Sequence, residues 1–300
     1  PWDTGLVTST SGTFSEAVSF NQGLSWDTDN VADFGHMFHS ASAFNQPVDG
    51  LVTDSGTILK HMFDGARSFN QPIASWNISN VGSLKGMFQN AYAFNGEFNF
   101  LNPYSTAGVF DMSYMFNNAI SFGFNIPAPG NNLTTWNTLG VGNMEYMFEG
   151  ATEFNMDLSP GASSAWDTQN VTNMRGMFMS ASAFAGTGSG GGVSSWDTTN
   201  VADMTRMFYD ATNFNADISS WNISSLVNAS GMLDVSSGTS SFSQVNYDAL
   251  LQGWAAQAII QPNVSLDVAQ HFTLSTPASS SRAVLTNPPY SWLINDLGGI

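Results

Sequence analysis

One residue pattern recurs nine times along the chain, and it limits what the chain can fold into. Its clearest unit, Trp76 to Phe94, reads W-N-I-S-N-V-G-S-L-K-G-M-F-Q-N-A-Y-A-F. At the same offsets the leading residue is Trp2, Trp26, Leu51, Trp76, Tyr104, Trp136, Trp166, Trp196 and Trp221. Five residues on stand Val7, Val31, Gly56, Val81, Val109, Val141, Val171, Val201 and Leu226. Twelve on come Phe14, Phe38, Phe63, Phe88, Phe116, Phe148, Phe178, Phe208 and Leu233, all but the first preceded by Met. Eighteen on, eight copies carry Phe, from Phe20 to Phe214. The spacing between leaders runs from 24 residues (Trp2 to Trp26) to 32 (Tyr104 to Trp136), too short for a unit that buries its own apolar load. Stacked units bury it together, each Trp, Val, Met and Phe over its counterpart at about the 4.8 Å strand spacing.

The expected fold is therefore an α/β repeat solenoid, a right-handed stack of nine coils over residues 1–239. The apolar stretch before each leader, as in Ile73-Ala74-Ser75-Trp76 and Ile218-Ser219-Ser220-Trp221, reads as a strand of a parallel sheet. The Met-Phe-x-x-Ala-x-x-Phe stretch has the spacing of one or two helical turns. Asn follows the second Phe in six copies, and a second Asn column (Asn30, Asn80, Asn170, Asn200) precedes the Val. Both read as ladders whose amides satisfy backbone groups at the turns.

Composition narrows the function. Six Lys and Arg face 23 Asp and Glu, a formal net charge of −17, which repels phosphate backbones and argues against nucleic-acid partners. The absence of cysteine excludes disulfides, zinc-thiolate centres and thiol catalysis. No apolar run is long enough for a membrane-spanning helix.

The unit at Trp196 to Asn215, W-D-T-T-N-V-A-D-M-T-R-M-F-Y-D-A-T-N-F-N, resembles the BspA-like leucine-rich-repeat surface proteins, in the Met-Phe branch found in mycoplasma and other bacteria. The resemblance covers about residues 1 to 240, and the segment Asn246 to Trp254 is similar to the one that closes many such arrays. It implies a leucine-rich-repeat-like fold, an extracellular or cell-surface location and an adhesive or interaction role without catalysis. Family members often carry Cys where this chain has Ala, so cysteine-linked properties do not transfer.

Four successive coils lengthen before the next leader, near 95–103, 123–135, 155–165 and 185–195, with Gly, Pro, Ser and Asn. Entering at one place in the coil, they are expected to emerge as one ridge, with Glu97, Phe98, Phe100, Asn131, Asn132 and Asp157 as candidate contacts for a protein or glycan. Residues 240–300 are expected to cap the stack, with Asn246 capping a helix over 247–258, a strand at 264–266, a helix starting at Pro277 and a final strand at 291–294. The first coil has no such cover. Trp2, Val7, Phe14 and Phe20 are expected to be covered by upstream residues or by self-association.

No phosphate loop, dinucleotide fingerprint or nucleophile elbow appears. His36 and His61 share a slot in adjacent coils and are expected about 5 Å apart, with Asp64 near them; this makes a surface metal site conceivable, against the plainer reading of two imidazoles in a polar column. Asp167 over Asp197 raises calcium as a bridging cation. A Thr column (Thr4, Thr28, Thr53, Thr106, Thr138, Thr168, Thr198) raises ice binding, although one file is narrow for an ice face. Six N-x-S/T sequons lie mostly inside the repeat, where Asn, Ser and Thr are already abundant. Two functional classes remain: an adhesive binding module, and a structural subunit of an extracellular filament, surface layer or virus-like assembly.

Overall fold

The computed structural model describes residues 2–97, 106–123, 133, 136–160, 166–188, 190–236, 240–274 and 277–300. The chain has a repeat fold in which successive units lie on one another, followed by a small parallel sheet with two helices. Seven residues after each leader, single parallel bridges link neighbouring repeats: Ser9 to Asp33 to Ile58, and Ser83 through Asp111, Asn143, Asn173 and Asp203 to Asn228. The polar residue here accepts the N–H two residues on, as in Gly35 N to Asp33 Oδ1 at 2.8 Å and Thr205 N to Asp203 Oδ1 at 2.8 Å. This side-chain turn aims the following backbone at the next repeat.

From this point every second N–H runs to the neighbour. Phe34, His36, Phe38 and Ser40 donate to the carbonyls of Ile58, Lys60, Met62 and Asp64 at 2.6–3.1 Å. Between them Met37, His39 and Ala41 donate three residues back within their own repeat. The same alternation joins the first repeat to the second, and the eighth to the ninth through Met204, Arg206, Phe208 and Asp210. It uses left-handed residues at two places, ten and fourteen after the leader: His36, His61, Tyr114, Tyr146 and Arg206 at the first, Glu16, Ser40, Asn90, Asn118, Ser180 and Asp210 at the second, with glycines such as Gly12, Gly65, Gly86 and Gly150 in other repeats.

This corrects two expectations. The strand ladder does not lie before the leader, where residues 74 and 75 form a turn and Trp76 N donates to Ile73 O at 3.0 Å. The Met-Phe stretch is not helical, because half its N–H groups leave for the next repeat and the left-handed residues interrupt any α-helical run. Among the described residues the α-helices are α1, Gln244–Ala255, and α2, Pro277–Thr286, and Gly192–Ser195 forms a 3-10 turn.

The rings sit inside as the periodicity requires. Phe38, Phe63, Phe88, Phe116, Phe148 and Phe178 are fully buried, and each stacks on the next at 5.5–5.7 Å. That is wider than the strand spacing of about 4.8 Å, as an offset stack requires. Within a repeat the two Phe rings lie 3.7–4.1 Å apart. At the first repeat Trp2 is 74% exposed, while Val7, Phe14 and Phe20 pack partly buried against the core.

The buried columns outlast the expected end of the register at 240. Phe242 stacks on Phe214 at 6.0 Å, and Ser243 N donates to Asn215 Oδ1 at 2.8 Å, continuing the Asn ladder. Trp221 Nε1 donates to Val193 O at 2.9 Å, and Trp254 Nε1 repeats the bond to Ile218 O at 3.1 Å. Helix α1 is thus capped by Ser243, whose oxygen accepts from Asn246 N; Asn246 instead turns its amide onto Asn215. Strand β1, Ala229–Leu233, pairs in parallel with β2, Ser265–Val268, which pairs in parallel with β3, Leu293–Asn295. Tyr247 of α1 donates to Asp296 Oδ2, which also receives Arg282 Nε at 2.8 Å. Burial pushes the Tyr247 phenol well above its ordinary range, followed in effect by its bond to Asp296. No helix among the described residues is long and apolar enough to cross a membrane.

Candidate functional site

Three positions, nine, ten and thirteen after the leader, differ from repeat to repeat while the core columns stay constant; most of their side chains are partly exposed, and Ser113, Asn117 and Thr205 are buried. Position ten runs Gly12, His36, His61, Gly86, Tyr114, Tyr146, Gly176, Arg206, Gly231. A large side chain here lies toward the next repeat, where it meets either a second ring, as His36 meets His61 and Tyr114 meets Tyr146, or a glycine: a Cβ on Gly86 would overlap the His61 ring, and one on Gly176 the Tyr146 ring. Four of the six cations share this face: Lys60, Lys85, Arg175 and Arg206. Lys85 lies over the Tyr114 ring at 5.7 Å, Arg175 over Tyr146 at 5.9 Å, and Arg206 over Tyr209 at 5.5 Å. Arg175 Nε also donates to Tyr146 Oη at 2.9 Å, and Tyr114 and Tyr146 lie 5.2 Å apart.

A polar ladder crosses the same face. Asp64 lies 3.2 Å from His61 Nδ1 and 3.5 Å from His39 Nδ1, and accepts from Asn90 Nδ2 at 3.2 Å. Asn118 Nδ2 reaches Asn90 Oδ1 and Asn117 Oδ1, and Asn117 Nδ2 donates to Glu149 Oε2 at 2.6 Å. Burial raises the Glu149 carboxyl above its ordinary range against the opposing pull of that bond. Burial, then Glu145, raises the Tyr114 phenol. Such a face offers aromatic rings, guanidinium groups and amides held in register on a rigid support, the residue types that recur at recognition surfaces.

The residues singled out from the sequence are placed as follows. His36 stacks on His61 with centroids 5.0 Å apart. Among the described residues no group of three or more His, Asp or Glu is gathered so as to hold a metal ion. Asp167 and Asp197 each accept the N–H two residues on through Oδ1, from Gln169 at 2.8 Å and Thr199 at 2.9 Å. Asn77, Asn137 and Asn222 do the same without charge. The Thr column is buried: Thr138 donates to Asp167 O at 2.6 Å and accepts from Asp167 N at 2.7 Å, so it cannot face ice.

Glu97 is exposed, its carbonyl accepting from Ile73 N at 2.7 Å. Phe98, Phe100, Asn131 and Asn132 lie outside the described residues. Asp157 accepts from both Ser159 N and Ser159 Oγ. Ser159 Oγ in turn receives Gly190 N at 3.1 Å and Gly192 N at 2.8 Å, so two of the four lengthened segments touch. Ser159 was not legible as a hinge of this contact; only its place in a lengthened segment marked it.

A family model described as Mycoplasma protein of unknown function, DUF285, matches residues 1–101, 97–190, 124–249 and 161–275. No curated protein and no solved structure matches the chain. The four matches overlap and together run from residue 1 to residue 275, so the chain belongs to the family described as Mycoplasma protein of unknown function, DUF285.

Proposed function

We propose that this protein is a non-catalytic interaction module of the cell surface or extracellular space, a right-handed solenoid of the BspA-like leucine-rich-repeat type. In this reading residues 1–239 are the solenoid and 240–300 its cap, and the ligand is a protein or glycan. The observation that carries it is the contrast between uniform core columns and variable, mostly part-exposed positions: the repeats hold the scaffold, and positions nine, ten and thirteen vary on it without cost to the core. The right hand follows from the near-universal hand of parallel crossovers. The membership of a mycoplasma family and the sequence resemblance support the surface location.

The test is adhesion of the purified chain to arrayed extracellular-matrix proteins and glycans. Replacing Tyr114, Tyr146 and Arg206 together by Gly, which suits their left-handed backbone, is expected to leave the melting curve near that of the parent and to reduce adhesion by about tenfold or more. Adhesion unchanged by this triple variant, but lost when the 123–135 and 185–195 segments are shortened, would move the site to the lengthened segments.

A further inference from the structure

We propose that His36, His39 and His61, gathered around the single carboxylate of Asp64, form a proton-operated seam between the second and third repeats, closed while the imidazoles are neutral and opened locally when they are charged. Three of the four histidines of the chain meet here. His36 and His61 stack face to face, 5.0 Å apart and 10° from parallel, and His39 meets His36 edge-on at 5.7 Å. Stacked neutral rings attract; two imidazolium rings in the same place repel.

The surrounding charges do not relieve that repulsion. Asp64 serves His61 and His39 and also receives Asn90 Nδ2, and among the described residues no ion pair reaches His36. Lys60 adds a positive charge, while Lys85 lies over Tyr114. Glu16, on the preceding repeat, meets His39 through its backbone N–H at 2.7 Å. Burial, then His61, His39 and Lys60, hold the His36 imidazole below its ordinary range, with Asp64 pulling the other way. For a group lowered in this way, the stabilisation is complete above the unfolded value of 6.5 and is lost as pH falls through the lower folded value.

The backbone shows that the fold does not require these rings. His36 and His61 have φ of 57° and 54°, a region costly for a bulky residue, and Gly12, Gly86, Gly176 and Gly231 hold the same place with φ of 65°, 59°, 58° and 67°. The backbone therefore does not require imidazoles at positions where glycine is the relaxed choice, and the variants His36→Gly and His61→Gly keep its conformation. Because each repeat bonds only to its neighbours, repulsion across this contact opens a segment and not the molecule.

Hydrogen exchange of the whole 300-residue chain tests this, in a buffer with chelator, at about pH 7.5 and about pH 5, with rates corrected for intrinsic exchange. The N–H groups of Phe34, Phe38 and Ser40, which bond from the second repeat to the third, are expected to lose protection by about tenfold at the lower pH while those of Phe148 and Phe178 keep theirs. The double variant His36→Gly, His61→Gly should melt at or above the parent temperature at neutral pH and show no such local loss. A loss that persists in the double variant, that spreads evenly over all repeats, or that appears only with chelator present would overturn the proposal, the last by making the cluster a metal site.

Discussion

Thr138 shows how much one buried hydroxyl does in this fold. It sits two residues after the leader, fully buried, and bonds both the N–H and the C=O of Asp167 in the next repeat. Thr28, Thr53, Thr168 and Thr198 occupy equivalent positions, each donating to a carbonyl of the following repeat. Thr138→Val keeps the shape and removes both bonds, leaving a buried N–H without its acceptor. The expected cost is about 1–3 kcal/mol in urea unfolding, and Thr138→Ser should recover most of it. A neutral Val variant would mean that the backbone bonds elsewhere. The Asp and Asn residues beside this column follow the same logic: they close turns through one oxygen, which is why charge is optional there.

At the scale of the element, the unit is a repeat whose two Phe rings stack on each other and on both neighbours. Phe178 lies 4.0 Å from Phe184, 5.5 Å from Phe148 and 5.6 Å from Phe208. Phe178→Ala is expected to cost about 3–5 kcal/mol and to broaden the unfolding transition, since the defect reaches both adjoining repeats. A loss under about 1 kcal/mol in calorimetry or denaturant titration would contradict the assigned core. The inward columns were legible because Trp, Val, Met and Phe recur at fixed offsets. The path of the backbone between them was not. An alternation of own-repeat and next-repeat hydrogen bonds leaves no hydrophobic period, and its one sequence trace, left-handed positions filled by Gly, Asn, Ser or Asp, is masked wherever His, Tyr or Arg stands there. The Trp254 rung was hidden for another reason: it is reached through helix α1 at a spacing no earlier repeat uses.

The molecule as a whole carries its charge unevenly. Four of its six cations lie on the face of positions nine and ten, and the carboxylates dominate elsewhere, including Asp3, Asp27, Asp29, Asp54, Asp167 and Asp197 near the start of the repeats. A net charge of −17 on 300 residues strains the folded state by self-repulsion. Raising salt from about 0.01 M to about 0.15 M shortens the screening length from about 30 Å to about 8 Å, so the melting temperature is expected to rise over that range. A melting temperature that falls with salt would instead point to stabilising ion pairs, of which the described residues show few besides Arg282 with Asp296.

The hydrogen bonds between repeats recur at the same offsets from junction to junction, Phe34 N to Ile58 O and Met174 N to Asp203 O running forward, Ala32 N to Thr8 O and Thr172 N to Gly142 O running back, so one face of a repeat complements the other. An exchange of DNA between two copies of the repeat, cut at the same offset, therefore yields a chain longer or shorter by whole units in which each remaining donor still meets an acceptor. Length in such a gene can drift by recombination in whole-repeat steps, and selection then acts on how far the protein reaches before it acts on whether the protein folds.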